Sequence, residues 1–394
     1  MRQTLDPAAL DRLGWTYVAK ARLSYDPGYY RLAEQTGLCL DTHQPDSPEA
    51  LLLRGHAMHN LHRFSEMEQL ARKLVATRGQ AFDYGLLGDA VLEQGRLDEA
   101  IEPYQKMVDL KPGLQAYSRV AHVRWLKGDL PGAIKLMRMA TRAGSPRNRE
   151  SVAWTESRLA RLELQNGNMK AALASADAAL ELVPDYAPAL LVRAHVLQNQ
   201  GKAGNAIEDL TRAAEADPLP EYQWALADAL RAAGRGDEAL PVEARLMKRG
   251  AADDPRTFAL YLATRGEQVE TAVRLAREEL TRRADGFTLD ALAWSLAAAG
   301  RYAEADTLIR RALAGGTQDA RLFYHAGVIA GHQGSRQDAR RWLTSAGKIQ
   351  QMLLPGEREQ LARHLAAGGA LSTLPGHEVQ GSKVHQSPLP TSAR

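Results

Sequence analysis

The sequence has little of what disulfide-stabilised or catalytic proteins need. Its 394 residues include a single cysteine, Cys39, so neither an intrachain disulfide nor a thiolate metal site can form. We expect this thiol to fill a buried position on a helix. None of the common phosphate-binding, dinucleotide-binding, zinc-protease, redox or nucleophile-elbow sequence patterns occurs. These absences predict a protein that is not an enzyme and holds no cofactor.

Long apolar runs and runs of like charge are also missing. Residues 1–7 contain no apolar signal core, and the longest apolar stretches are too short to cross a membrane. The formal net charge is only +3, so the composition does not demand a polyanionic partner. We expect a cytoplasmic protein without membrane insertion, or a periplasmic one if a leader has been removed.

What the sequence does contain is a short pattern that recurs about every 34 residues. Its clearest copy includes Gly88, Gly95, Ala100, Tyr104 and Pro112. Glycines equivalent to Gly95 follow at intervals of 33, 39, 34, 33, 32, 34 and 34 residues: Gly128, Gly167, Gly201, Gly234, Gly266, Gly300 and Gly334. A fixed period in this range is typical of a solenoid of stacked units.

Each unit divides into two helical patterns. In the clearest copy, Gly95 ends the first helix and Pro112 blocks continuation of the second. Gly88 and Ala100, with small residues at the equivalent positions of other units, allow the two helices of a pair to approach closely. In the second unit, His62 occupies the position of the turn glycine.

These residues resemble the tetratricopeptide repeat family, whose signature is W-x2-L-G-x2-Y…A-x3-F…P. The match runs through Leu87, Gly88, Ala100, Tyr104 and Pro112, and the chain looks like a multi-repeat member of bacterial type. The resemblance implies an all-α fold, a right-handed α-α superhelix of about ten helix-turn-helix repeats.

The repeat register also predicts how the chain is divided. Asp6-Pro7 offers an N-cap followed by proline, so the first helix is expected to begin near residue 7. The predicted segments are a helix start at 1–13, repeats one to four at 14–143, an insertion at 144–151, repeats five to ten at 152–353, a capping helix at 354–371 and a disordered tail at 372–394. The unit near Gly266 is short, and its register stays open.

In the family that this chain resembles, the first helix of each unit lines a concave groove. Aromatic and arginine side chains in a groove are the usual anchors of a bound partner. Carrying those positions over predicts a partner-binding groove formed by Arg22, His56, His59, Asp89, His122, Trp125, Trp154, Arg161, His195, Trp224, Asp228, Arg231, Trp294 and Tyr324. For the tryptophans, packing between repeats is the alternative to exposure in the groove.

The histidines allow two further readings. His56, His122 and His195 recur at one equivalent position, so they are either inert surface residues or a source of pH-sensitive binding. His56 and His59 share a helical face and form a weak candidate for a metal site, with His62 or Glu66 as a further ligand. Because that pattern is weak, we predict no metal.

These observations favour a non-catalytic scaffold or adaptor whose groove binds a partner protein or an extended peptide. The chain does not reproduce the family's Lys/Asn/Asn/Lys/Arg carboxylate clamp, which argues against a chaperone C-terminus as ligand. The alternatives are a component of a bacterial envelope or secretion assembly, a single-stranded nucleic-acid binder and an accessory subunit of an enzyme complex. Nucleic acid is the disfavoured partner, and the oligomeric state is not predicted.

Overall fold

The chain folds into a series of short helices. A computed structural model describes residues 6–367, and within this range it contains α-helices, one 3-10 turn at Gln350–Met352 and no strand. In chain order the helices are α1 (Pro7–Ser24), α2 (Gly28–His43), α3 (Pro48–Asn60), α4 (Phe64–Thr77), α5 (Ala81–Glu93), α6 (Leu97–Leu110), α7 (Leu114–Leu126), α8 (Leu130–Arg142), α9 (Arg149–Gln165), α10 (Met169–Leu182), α11 (Ala187–Asn199), α12 (Ala203–Ala216), α13 (Pro220–Ala232), α14 (Gly236–Asp253), α15 (Pro255–Arg265), α16 (Val269–Leu280), α17 (Gly286–Ala298), α18 (Tyr302–Leu313), α19 (Ala320–His332), α20 (Arg336–Lys348) and α21 (Pro355–Ala366).

Helices α1 to α20 form ten consecutive pairs, each with an odd-numbered and an even-numbered member. We call the odd-numbered members inner helices and the even-numbered members outer helices. Each inner helix packs on its own outer helix, and neighbouring inner helices also contact one another along much of the chain. The prediction of an all-α solenoid of about ten repeats is therefore confirmed, and α21 follows the tenth pair.

The turn inside each pair depends on a left-handed residue. Gly95 has a φ of 80°, which a residue without a side chain adopts at little cost. His62 takes the same left-handed conformation, with a φ of 56°, at the position where the sequence predicts that it replaces the turn glycine.

Small residues between paired helices set their spacing. A Cβ atom on Gly88 would overlap the ring of Tyr104, and one on Gly327 would lie 2.7 Å from Leu343 Cγ. Ala100 is fully buried at the same contact in the third pair. The recurring small positions thus mark the close approach of the inner and outer helices, as the sequence predicts.

The start of α1 and the segment 144–151 can be compared with the boundaries that the sequence predicts. Asp6 accepts a hydrogen bond of 3.0 Å from Ala8 N and caps α1, which runs through the boundary expected at residue 13. At the segment 144–151, α9 begins at Arg149 and is 17 residues long, against 13 residues for α7 and for α11. Part of the longer repeat is therefore an extra turn of helix.

The tail predicted at 372–394 and the end of the segment 354–371 lie outside the described residues. Within residues 6–367, no helix is long and apolar enough to cross a membrane.

Later pairs of the solenoid lie against earlier ones. Arg283 Nε donates a hydrogen bond of 2.7 Å to Glu93 Oε2 across 190 residues of sequence. Thr317 Oγ1 donates a bond of 2.9 Å to Leu126 O across 191 residues. We call these the closure contacts, because they bring the loops before α17 and α19 onto the turns that follow α5 and α7.

The turn glycines at the closure contacts have a second role. A Cβ atom on Gly95 would overlap the carbonyl oxygen of Ala284, and one on Gly128 would lie 2.7 Å from Gly316 O. At Gly167, by contrast, nothing lies within 4 Å of such an atom. The closure contacts therefore require glycine for close backbone approach as well as for turn geometry.

Candidate functional site

A central cavity of about 1020 Å³ lies along the inner helices of the first half of the chain. Helices α1, α3, α5, α7 and α9 supply most of its wall. Residues around Tyr186 and Asp217, together with Asp253, complete it. Its volume is at the upper end of the range that is usual for ligand sites, about 300–1,000 Å³.

The repeat determines which side chains face the cavity. On α9, Trp154, Arg158 and Arg161 lie four and three residues apart, so they form one stripe along the helix. All three line the cavity. Trp15 and Phe82 stand at the position of Trp154 in other repeats and line the cavity as well.

Eight of the fourteen residues predicted for the groove line this cavity. Trp154 keeps 39% of its surface exposed there, whereas Trp125 keeps 5% and is mainly a wall residue. The Trp125 indole donates a hydrogen bond of 2.7 Å to Gln165 Oε1 and stacks on Phe287. The eight residues are Arg22, His56, His59, Asp89, His122, Trp125, Trp154 and Arg161.

Two of the remaining six pack between repeats. Trp294 is fully buried, stacks on His325 at a centroid distance of 4.0 Å and donates to Thr264 Oγ1 at 3.0 Å. Tyr324 is also fully buried and donates a hydrogen bond of 2.8 Å to Gln360 Oε1 on α21. Their assignment to the groove is wrong, because each inner helix of the last pairs is covered on this face by the next one or by α21.

The concave face of α11 and α13 is covered by residues of α19 and α21, which come later in the same chain. The backbone N–H of Gly356 donates a hydrogen bond of 2.9 Å to Asp228, and the Arg321 guanidinium lies 4.8 Å above the Trp224 ring. Arg358 donates a bond of 3.0 Å to Asn199 Oδ1. Helix α21 thus packs on α20 and also reaches the groove of the earlier repeats.

His195 and Arg231, the last two predicted groove residues, are likewise absent from the cavity wall. Arg231 Nε donates a hydrogen bond of 2.6 Å to Glu243 on the outer helix of its own pair. Burial lowers the pKa of His195 to about 3, with Arg161 contributing to the shift. These two side chains belong to the framework of the solenoid in this structure.

Burial favours the neutral form of the cavity histidines. Burial lowers the pKa of His122 to about 3 and, with the Arg22 guanidinium nearby, holds the pKa of His56 well below its ordinary value. Arg22 Nη2 lies 2.9 Å from His56 Nε2, so that this nitrogen accepts a hydrogen bond and is not free for a metal. Among residues 6–367, no three or more His, Cys, Asp or Glu side chains gather into a possible metal site.

Asp89 and Arg119 form the best-paired charges of the cavity wall. Arg119 donates to both carboxylate oxygens of Asp89 at 2.8 and 2.6 Å, and Tyr104 OH donates a third hydrogen bond at 2.8 Å. Burial opposes ionisation of Asp89, but Arg119 outweighs it and keeps the pKa of this carboxyl below its usual value. This group is therefore a fixed ion pair that orients the wall.

Arg158 is a cavity residue that sequence reasoning missed. It forms no ion pair with any residue in the described part of the chain, and its guanidinium carbon lies 5.9 Å from the Trp154 ring centroid. Burial and the neighbouring Arg161 lower its pKa to about 10. Its position four residues after Trp154, on the same helical face, was the signal that could have identified it.

Comparisons with known proteins agree with this architecture. The family model described as tetratricopeptide repeat matches residues 84–115 and 191–255. A human IFIT1 dimer with PPP-AAAA has a TM-score of 0.52 at 15% identity, covering 78% of this chain and 72% of that chain. A human IFIT1 dimer with m7Gppp-AAAA gives 0.53 at 14% identity, covering 79% and 72%.

A crystal structure of MamA is also similar, with a TM-score of 0.34 at 17% identity, covering 41% of this chain and 93% of that chain. No curated protein matches the sequence. At such low identities, the likeness to human IFIT1 shows the fold alone. The tetratricopeptide repeat model thus matches two segments of the chain, and the ten stacked helical pairs have the helix-turn-helix architecture of that repeat.

Proposed function

We propose that the protein is a non-catalytic adaptor that binds an extended segment of a partner protein in its central cavity. The observation that carries this proposal is the exposure of large aromatic side chains inside the cavity. Trp154 and Phe82 keep 39% and 38% of their surface exposed there. Aromatic and arginine side chains in a concave, largely desolvated site are the residue types that dominate binding energy.

The size of the cavity favours a segment over a folded domain. At about 1020 Å³ it is comparable to the larger small-molecule sites, and several repeats contribute to its wall. A standard interface between folded proteins covers about 800 Å² on each partner, which an internal cavity of this kind does not present. An extended segment can instead insert its side chains between successive inner helices.

The wall is held in place before any partner arrives. Trp125 is fixed by Gln165, and Arg119 is fixed by Asp89 through two hydrogen bonds. A preformed site loses little conformational entropy when it binds, so that more of the contact energy appears as affinity. This rigidity supports recognition of a particular segment over non-specific adsorption.

Single-stranded nucleic acid is the second candidate. The similar IFIT1 structures contain PPP-AAAA and m7Gppp-AAAA, and aromatic and arginine side chains can stack on bases. The charge of the cavity argues against a polyanion, however, because its carboxylates balance its guanidinium groups. The charged wall residues are Arg22, Arg119, Arg158 and Arg161 with Asp89, Glu93, Glu150, Asp217 and Asp253.

Selection from a displayed library of random peptides tests the proposal, followed by calorimetry on the selected peptides. We expect Trp154→Ala to weaken binding about tenfold or more, because the side chain is a central anchor. Trp342→Ala is the matched control, since Trp342 is a half-buried tryptophan on α20 outside the cavity. Equal affinities for the two variants would exclude the cavity. Binding of oligo(A) that falls steeply with salt would support the second candidate instead.

A further inference from the structure

The arginines of the cavity differ in how well they are paired. Arg119 holds Asp89 through two hydrogen bonds of 2.8 and 2.6 Å. Arg161 has its nearest carboxylate, on Glu221, at 4.0 Å, and Arg22 has Glu150 at 3.9 Å. Arg158 forms no ion pair within residues 6–367, although it lies in the same wall. Arg158 and Arg161 are therefore less closely paired with carboxylates of the protein than Arg119 is.

These two arginines are next to the most exposed tryptophan of the cavity. Arg158 and Arg161 follow Trp154 by one and two helical turns on the same face of α9. The guanidinium carbon of Arg158 is 5.9 Å from the Trp154 ring centroid. One helix thus presents an apolar platform and two guanidinium groups to whatever enters the cavity.

We infer that Arg158 and Arg161 form an anion subsite that binds the side-chain carboxylate of an Asp or Glu in the partner segment, while Trp154 contacts an adjacent apolar residue. This inference rests on the function proposed above. Guanidinium groups bind carboxylates through paired, charge-assisted hydrogen bonds, which suits a planar carboxylate.

A carboxylate should bind favourably here because the charge of Arg158 is partly buried and has no ion pair within residues 6–367. Burial in the wall lowers the pKa of Arg158 to about 10, because it disfavours the charged form of the guanidinium group. A bound carboxylate would supply the missing opposite charge in a region of reduced dielectric. A ligand with a carboxylate at this point should therefore bind more tightly than a ligand with an amide of the same shape.

The surrounding charges favour a single carboxylate over a chain of phosphates. Glu150, Asp217 and Asp253 line the same cavity, so a polyanion would meet repulsion from carboxylates there as well as attraction to the two arginines. An otherwise neutral peptide with one acidic residue places a single negative charge at the subsite and no further negative charge near the carboxylates of the wall. The observations thus favour an acidic protein segment, and nucleic acid becomes an outcome of the test.

The test is a parallel selection of random displayed peptides against the wild-type chain, Arg158→Gln and Arg147→Gln. Arg147 is the matched control, because it is an exposed arginine in the loop just before α9 and has no ion pair with any residue in the range 6–367. We expect the wild type and Arg147→Gln to enrich peptides with Asp or Glu at one position, and Arg158→Gln to lose that enrichment. Thermal melting should show that Arg158→Gln is no less stable than the wild type, since no ion pair is removed.

A double-mutant cycle makes the assignment specific. Changing the enriched Glu of a selected peptide to Gln should weaken binding to the wild type by about 10- to 100-fold, the effect of a charge-assisted hydrogen bond. The same change should have little effect on Arg158→Gln, because the partner of the carboxylate is already absent. Equal losses for both proteins would overturn the subsite.

The outcomes separate the inference from the function on which it rests. Enriched peptides that depend on Trp154 but carry no acidic residue would leave the adaptor function standing and overturn the subsite. An absence of any enriched peptide would overturn both. Salt-sensitive binding of oligo(A) that is lost in Arg158→Gln would assign the arginines to nucleic acid and contradict the proposal.

Discussion

Arg283 and Glu93 are 190 residues apart in the sequence and form an ion pair of 2.7 Å in the folded chain. Both side chains are largely buried, with 19% of each exposed. The pair links the loop before α17 to the end of α5, so it joins the eighth helical pair to the third. Closure of the solenoid therefore includes specific side-chain contacts, and this one involves Glu93, a residue of the cavity wall.

Glu93→Gln should weaken this closure. Arg283 keeps a second partner, Asp285 at 2.8 Å, so we expect the free energy of unfolding to fall by about 1–3 kcal/mol. Urea denaturation measures the loss, and small-angle scattering should show a larger radius of gyration. The control is Glu99→Gln, whose ion pair with Arg96 is exposed and should cost less than about 0.5 kcal/mol. Equal effects of the two changes would mean that the closure contact is not stabilising.

Gly95→Ala and Gly167→Ala form a matched pair of variants. Both glycines have φ near 80°, at 80° and 78°, so each substitution introduces about 1 kcal/mol of backbone strain. Only at Gly95 does the new methyl group overlap the carbonyl oxygen of Ala284. We expect Gly95→Ala to be the more destabilising by about 1–3 kcal/mol in chemical denaturation, because the closure contact must move. Similar losses for both variants would contradict the close approach.

Asp217 predicts a pH dependence of stability. Burial, with Glu221 nearby, raises the pKa of this carboxyl to about 7 in the folded chain, against an ordinary value of 3.8. The folded state therefore binds a proton between pH 7 and pH 4 that the unfolded state has released, so this group penalises folding above pH 7 and the penalty disappears below about pH 4.

Asp217→Asn should accordingly raise the free energy of unfolding by about 1–3 kcal/mol at pH 8, because the uncharged amide avoids the penalty. The gain should shrink as the pH is lowered and be absent near pH 4, as measured by urea denaturation across this range. The exposed Asp98 provides the control, and Asp98→Asn should stay within about 0.5 kcal/mol of the wild type. A constant gain at every pH would show that charge is not its cause.

His122 should remain neutral far below the pH at which a free imidazole protonates. Burial lowers its pKa to about 3 in the folded chain, so the unfolded state binds a proton first and stability falls as the pH drops below about 6.5. Ring carbon chemical shifts in an NMR titration should show no change for His122 between pH 8 and pH 5. Free imidazole in the same sample is the reference. A His122 titration near pH 6.5 would show that water reaches the ring.

The sequence was sufficient for features that repeat locally. The turn residues Gly95 and His62, and the small residues Gly88 and Ala100, follow from a period of about 34 residues and from elementary sterics. The same register placed Trp154 and Arg161 on the inner helix, where they line the cavity. A periodic pattern identifies which face of each helix points inward because every repeat has the same geometry.

Contacts between distant repeats were not predictable from that period. Trp294 and Tyr324 have the register of groove residues, yet neighbouring inner helices and α21 bury them completely. Asp228 is likewise covered, in its case by Gly356 across 128 residues. These contacts depend on the curvature of the superhelix, which decides which distant repeats come together. The curvature is the sum of many small rotations between successive repeats, and no single residue indicates it.

Photo-crosslinking from inside the cavity tests the central claim most directly. Benzoylphenylalanine would replace Phe82, which is an exposed aromatic residue of the cavity wall, and in a second variant it would replace Trp342 on α20. After irradiation with a selected peptide, we predict that mass spectrometry will find the peptide attached at position 82 and not at position 342. Attachment at position 342 without attachment at position 82 would contradict the account, because the bound segment would then lie outside the cavity.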